Sequence, residues 1–263
     1  MKGVNSTLVV IAFKLATRIL GLINGGGGIY KMYDVDARLR PEGGNSLLAI
    51  SLDSYETYLE RRASEWERLA HVRSRAVAGS TALGKEAMEL LHRFVYHGPF
   101  SLEEVERIRE IRAIMVDSSL KRYPGLINIK SGPGGITDID FIAQSYAAHY
   151  GRDNPSVRQR ETGAIFDALG SDQIIERHDG TALLDLYTFL INVEKAIRCS
   201  SGKAVNTVPV SGTELSRVAR LLGFKNVRRF NKRLEDVMTL TREYHERMMV
   251  ELQYRAGNVK RER

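Results

Sequence analysis

The sequence predicts a mainly α protein in which a short α+β segment precedes an all-α helical bundle. Three observations predict it. The 263 residues are 43% hydrophobic and 27% charged, an ordinary globular balance. From about residue 80 onward, apolar residues recur at three- and four-residue steps in segment after segment. Ahead of them one stretch, Ile29 to Asn45, alternates β-branched and aromatic residues with polar ones, between Gly25-Gly26-Gly27-Gly28 and Pro41 with Gly43-Gly44.

Taken in order, residues 6–23 place Val9, Phe13, Ala16, Ile19 and Leu20 near helical spacing, which predicts a helix with a buried face. Lys14 and Arg18 interrupt the apolar run that begins at Leu8, so the sequence predicts neither a membrane span nor a membrane partner. A strand over Ile29 to Arg40 follows, with a second, Leu47 to Ile50, able to pair with it through the glycine turn. A long helix is predicted from Asp53 to Ala76, with Tyr55, Leu59, Arg62, Trp66, Leu69 and Val72 on its inner stripe. Residues 79–84 read as a boundary. Helices are then predicted over 85–97, from the capping box Ser101-Leu102-Glu103-Glu104 to about Arg122, from Thr137, and over 155–169, 181–198, 212–222 and 226–253. Leu186, Phe189, Leu190, Val193 and Ile197 form a core stripe flanked by a Glu194–Arg198 pair.

Charge and rare residues narrow the chemistry. Lys and Arg number 39 against 32 Asp and Glu, a net +7 that suits nucleotides, nucleic acid or an acidic protein and does not choose among them. The single cysteine, Cys199, excludes an internal disulfide and a Cys-rich zinc site, predicts a reducing, cytoplasmic setting, and reads as a buried packing residue. The six histidines show no metal-ligand spacing.

On a strand, Asp34, Asp36, Arg38 and Arg40 share one face, opposite Tyr33, Val35, Ala37 and Leu39. Carboxylates are hard ligands for Mg²⁺ and Arg is a planar fork for phosphate, so this face can hold a metal-bound nucleotide, with Asp34 and Asp36 toward the metal. An exposed face whose charges satisfy one another is an equal alternative.

The run YDVDARLRPEGG resembles the segment that carries the third carboxylate of the nucleotidyltransferase domain in glutamine synthetase adenylyltransferases, of the polymerase-beta-like superfamily. Independently, Asn128 to Gln144, NIKSGPGGITDIDFIAQ, resembles that family's helical-domain signature, and WERLAHVRSRAVAG resembles its Trp-Glu segment before two arginines. The resemblance implies an incomplete nucleotidyltransferase domain over 1–79, a helical bundle over 80–254 and a basic tail over 255–263. It implies Asp36 as the catalytic metal carboxylate, and phosphate contacts from Arg38, Arg40, Lys130 and one of Arg73 and Arg75. It further implies a substrate pocket at Gly134, Gly135, Asp138, Asp140 and Gln144. Acidic residues in the first turns of a helix also have a mundane use, complementing its dipole. Magnesium and ATP are the implied cofactors of the complete enzyme. Glutamine synthetase is the implied partner, and a PII-type signal protein a further one. The wording VDARLRP and GGITDI is closer to the half that attaches AMP than to the half that removes it.

This sequence departs from the family at Asn128, where Asp is usual, at Asp140 for Glu, and at Ile191 for Arg. No Asp or Glu precedes Asp34, whereas the superfamily places two further carboxylates, one residue apart, on a separate strand. The expectation is a carboxyl-terminal portion of an adenylyltransferase, arising from a split, truncated or misassigned reading frame, inactive alone and completed by a companion chain. Two other classes compete. One is a non-catalytic helical module that binds glutamine synthetase or a PII-type regulator. The other is a helix-turn-helix over 215–234, with Lys225, Arg228, Arg229, Lys232 and Arg233 available to nucleic-acid phosphates.

Overall fold

A computed structural model describes residues 6–25 and 35–258. Asp34, the first part of the predicted strand with Tyr33, most of the four-glycine run and the last five residues of the basic tail lie outside the described residues. The chain is mainly α. By internal contacts it divides into two units, residues 1–67 with 76–94 and residues 68–75 with 95–263.

The first unit contains α1 (Ser6–Ile23), α2 (Leu52–Arg61), the start of α3 (Glu65–His71) and most of α4 (Thr81–Val95). Its core joins Tyr58 and Leu59 of α2 to Leu90 and Leu91 of α4. The apolar stripe of α1 forms where the spacing predicts, but none of its described side chains is buried, and Leu8, Ile11, Leu15 and Ile19 are exposed.

Three expectations are corrected here. Residues 35–40 and 47–50 form no strand, and the described residues contain none. A strand needs a neighbour to take its backbone groups, and here the chain folds over itself instead: the Arg40 guanidinium donates to the carbonyls of Ala37, Gly44 and Ser46 around a 3₁₀ turn at Gly43–Asn45. The long helix is two helices. Ser64-Glu65-Trp66-Glu67 is itself a Ser-x-x-Glu start, and Glu67 reaches back to the Ser64 N–H at 2.8 Å while accepting the Tyr58 hydroxyl at 2.9 Å. The boundary at 79–84 is mostly helix, since α4 begins at Thr81.

The second unit is the bundle: α5 (Leu102–Arg122), α6 (Ile136–Tyr150), α7 (Thr162–Ser171), α8 (Arg177–Ser201), α9 (Gly212–Leu221) and α10 (Val227–Asn258). The Ser101 capping box that opens α5 is formed in full. Where a helix was expected from Pro155, a 3₁₀ turn at Pro155–Val157 precedes α7. Helix α6 lies at the centre, with Ile139, Ile142, Ala143 and Tyr146 fully buried and the Tyr146 hydroxyl donating to the Met248 carbonyl of α10 at 3.0 Å. Leu186, Leu190, Val193 and Ile197 of α8 are buried as the stripe predicts, and Arg198 pairs with Glu194 at 2.8 Å. Cys199, about 200° around the helix from Ile197, is exposed rather than buried.

Candidate functional site: an arginine–aspartate cluster in the bundle

The glycine turn before α6 decides where the acidic residues of that helix point. Asn128 begins it: its side-chain oxygen accepts the backbone N–H groups of Lys130 and Ser131, both at 3.0 Å. A neutral amide oxygen does this as well as a carboxylate, which accounts for Asn at this position. Gly134 follows with φ +74°, so close to α10 that a Cβ there would stand 1.9 Å from the Met238 carbonyl oxygen. Only glycine fits both the left-handed backbone and this contact.

Asp138, in the first turn of α6, closes the motif. It accepts the Gly134 N–H at 2.6 Å and the Arg112 Nε of α5 at 2.6 Å, with both side chains almost fully buried. Arg112 spends its remaining donors on the carbonyls of Ser131 and Gly132. Asp138 and Arg112 also line a cavity of about 720 Å³ between α5 and α10, with Arg109, Arg242, His245 and Glu246. His245 Nε2 is buried there without a hydrogen-bond partner among the described residues, 3.9 Å from Asp138.

Asp140 lies about 200° further round α6 and faces elsewhere. Arg73, in the turn that ends α3 at His71, donates through Nη2 to Asp140 at 2.5 Å and to the Thr162 hydroxyl at the start of α7. Thr162 in turn donates to Asp140 at 3.1 Å, and the Tyr187 hydroxyl of α8 also meets the guanidinium. The Arg73 Nε is buried and donates to no atom among the described residues. Burial raises the Asp140 carboxyl above its ordinary range, although Arg73, Thr162 and Lys130 all favour its charged form. Lys130 itself is exposed.

The structure thus brings Arg73, Lys130 and Asp140 together, adds Thr162 and Tyr187, and sends Asp138 to the opposite side of α6. Gly134 and Gly135 are buried in the turn, and Gln144 is half-buried one helical turn beyond Asp140. Arg75 is exposed, because α3 ends before it and the two arginines no longer share a helix. Thr162, Tyr187 and Arg112 carried no sequence signal, since each acts through a partner distant in the chain.

In the first unit, Arg38 grips Asp36 with Nε and Nη2 at 2.9 and 2.6 Å, and both side chains are largely exposed. The hydrogen bonds from Arg38 hold the Asp36 carboxyl at about 2. Among the described residues no three acidic, histidine or cysteine side chains stand close enough to hold a metal. Both Asp36 oxygens accept from Arg38, and Asp34, the other carboxylate expected to face a metal, lies outside the described residues.

Comparison with known proteins places both halves. The family model for glutamate-ammonia ligase adenylyltransferase matches residues 7–90, and that for GlnD PII-uridylyltransferase matches residues 104–249. The bifunctional glutamine synthetase adenylyltransferase/adenylyl-removing enzyme of Methylococcus capsulatus is 32% identical over 206 residues, covering 78% of this chain and 22% of the relative. Its counterpart in Pseudomonas syringae pv. tomato is 30% identical over 203 residues, 77% of this chain and 20% of the relative. That of Agrobacterium fabrum is 31% identical over 214 residues, 80% of this chain and 21% of the relative. The chain spans about a fifth of the length of the curated relatives it matches.

Proposed function

We propose that this chain, which belongs to the glutamine synthetase adenylyltransferase family, supplies a phosphate-holding wall of an enzyme that attaches AMP from ATP to a tyrosine of glutamine synthetase, or removes it by phosphorolysis. The observation that carries this reading is the Arg73 cluster. Asp140 and Thr162 fix one edge of the guanidinium, and the buried Nε–H is left without an acceptor among the described residues. An orphaned charged donor costs free energy until an anion meets it. A phosphoryl oxygen of ATP takes that N–H, while the Lys130 ammonium adds a second cation. Asp140 keeps the cluster from binding its anion too tightly to release. Residues 1–79 serve as the incomplete nucleotidyltransferase half and 80–254 as the bundle that follows it in the chain.

No metal-dependent step is assigned to these residues, because Asp34 lies outside the described ones. On this reading residues 1–263 alone do not transfer AMP; a companion segment carrying two carboxylates one residue apart completes the pocket. One observation favours a second reading, a non-catalytic module that binds glutamine synthetase or a PII-type regulator: Arg38 already satisfies Asp36. The same assay separates them. With glutamine synthetase, Mg²⁺ and α-labelled ATP, the chain alone should incorporate no label, and the complemented pair should. Arg73→Met in that pair should slow incorporation by about tenfold to a hundredfold. Transfer by the chain alone overturns the need for a companion. An undiminished rate in Arg73→Met overturns the role of the cluster, and failure of every complement leaves the module reading in place.

A further inference from the structure

The hairpin of α9 and α10 holds a charge excess that neither the fold nor the cluster uses. Residues 211–234 carry seven basic side chains and one acidic one, nearly the whole of the chain's net +7. Arg217, Arg220, Lys225, Arg228, Arg229, Lys232 and Arg233 are all exposed. Lys232 pairs with Asp236 at 2.8 Å, but Arg220, Lys225, Arg228 and Arg229 meet no acidic group among the described residues.

Two of these arginines work against their own helix. Arg228 and Arg229 occupy the first turn of α10, which contains no acidic residue. Positive charge at a helix N-terminus opposes the dipole, at a cost of about 0.3 to 1 kcal/mol each. Asn226 caps the Arg229 N–H at 2.9 Å, so the end is well formed despite that cost. The platform beneath is closely packed. Phe224 of the turn stacks edge-on against Phe189 of α8 and Phe230 of α10, with ring centroids 6.4 and 5.6 Å apart, and Leu215, Val218 and Leu234 are buried beside them.

We propose that this hairpin is a docking surface for an acidic face of a partner protein. A protein suits it better than nucleic acid for two reasons. Both aromatic rings of the hairpin belong to the packed cluster below, which leaves no ring on which the bases of a single strand could stack. Amid the cations stands an exposed leucine, Leu221, of the kind a protein interface covers and a phosphate backbone does not. The surface stands on its own geometry; that its partner is glutamine synthetase rests on the reading above.

The triple variant Arg220→Glu, Arg228→Glu, Arg229→Glu tests it. Two of the changes place acid in the first turn of α10, where it favours the helix, so Tm should hold or rise and lost binding is not lost folding. A control reverses Arg61, Arg107 and Lys195, exposed basic residues elsewhere. The probe is a fluorescent poly-glutamate peptide, read by anisotropy at physiological salt with duplex DNA of matched charge as competitor. The hairpin variant should bind the peptide about tenfold more weakly than the control does. Equal loss in both variants, no binding by the wild type, or tighter binding of the duplex overturns the proposal. Binding of glutamine synthetase, measured beside it, isolates the partner: if the peptide binds and glutamine synthetase does not, the surface stands and the assigned partner falls.

Discussion

Asp138 and Asp140 sit two residues apart on α6, and helical rotation gives them separate tasks. Asp138 is locked to Arg112 and the Gly134 N–H out of water. Removing one member of so buried a pair typically costs about 3 to 5 kcal/mol, because the other is left charged and alone. Asp140 keeps 19% side-chain exposure and leaves the Arg73 Nε unserved, the mark of a group that waits for something. His149 shows how strongly this interior resists charge. Its Nδ1 accepts the Phe100 N–H at 3.0 Å, and burial first, then Arg68 and Arg255, push its pKa from 6.5 to about 4. The unfolded chain therefore takes up the proton first. Stability should be complete above about pH 6.5 and fall by about 1 to 3 kcal/mol toward pH 4. Urea midpoints measured across that window check this, and His149→Gln should flatten the slope.

Among elements, the glycine turn ahead of α6 matters most for placing the site. Gly134→Ala sets a Cβ against the Met238 carbonyl and strains a left-handed residue, so it should destabilise the bundle by about 3 kcal/mol, read by thermal unfolding. A Tm unchanged within error would mean that α10 yields easily there. The bundle was legible because its helices each bury a stripe at the period the sequence displays, as Leu186 to Ile197 do. The segment 35–50 was not, because alternation states only that a strand is possible; whether one forms depends on a neighbour, and Arg40 closes residues 37–46 into a loop instead. The break between α2 and α3 was legible in Ser64 and Glu67 but masked by the apolar spacing that runs through it. Arg73 was a candidate for phosphate contact only through family resemblance, and its ties to Thr162 and Tyr187 follow from packing that no local pattern records.

For the whole molecule, the two units differ in what they bury. The bundle buries a continuous core and meets most of its buried charges with partners: Arg68 with the carbonyls of Val95, Gly98 and Ala148, Arg112 with Asp138, and Asp179 with Arg247, while Arg73 Nε and His245 Nε2 have none among the described residues. In the first unit α1 leaves leucine and isoleucine side chains exposed, and Asp36 pairs with Arg38 alone among the described residues. The account turns on whether the unserved Arg73 donor receives a nucleotide phosphate. The direct observation is the ¹H–¹⁵N resonance of Arg73 Nε, assigned through Arg73→Lys and followed as ATP is added. It should shift and saturate with ATP and not with adenosine, and Lys130→Ala should weaken that saturation. A resonance that ignores ATP while the protein remains folded would contradict the assignment of this cluster to the nucleotide.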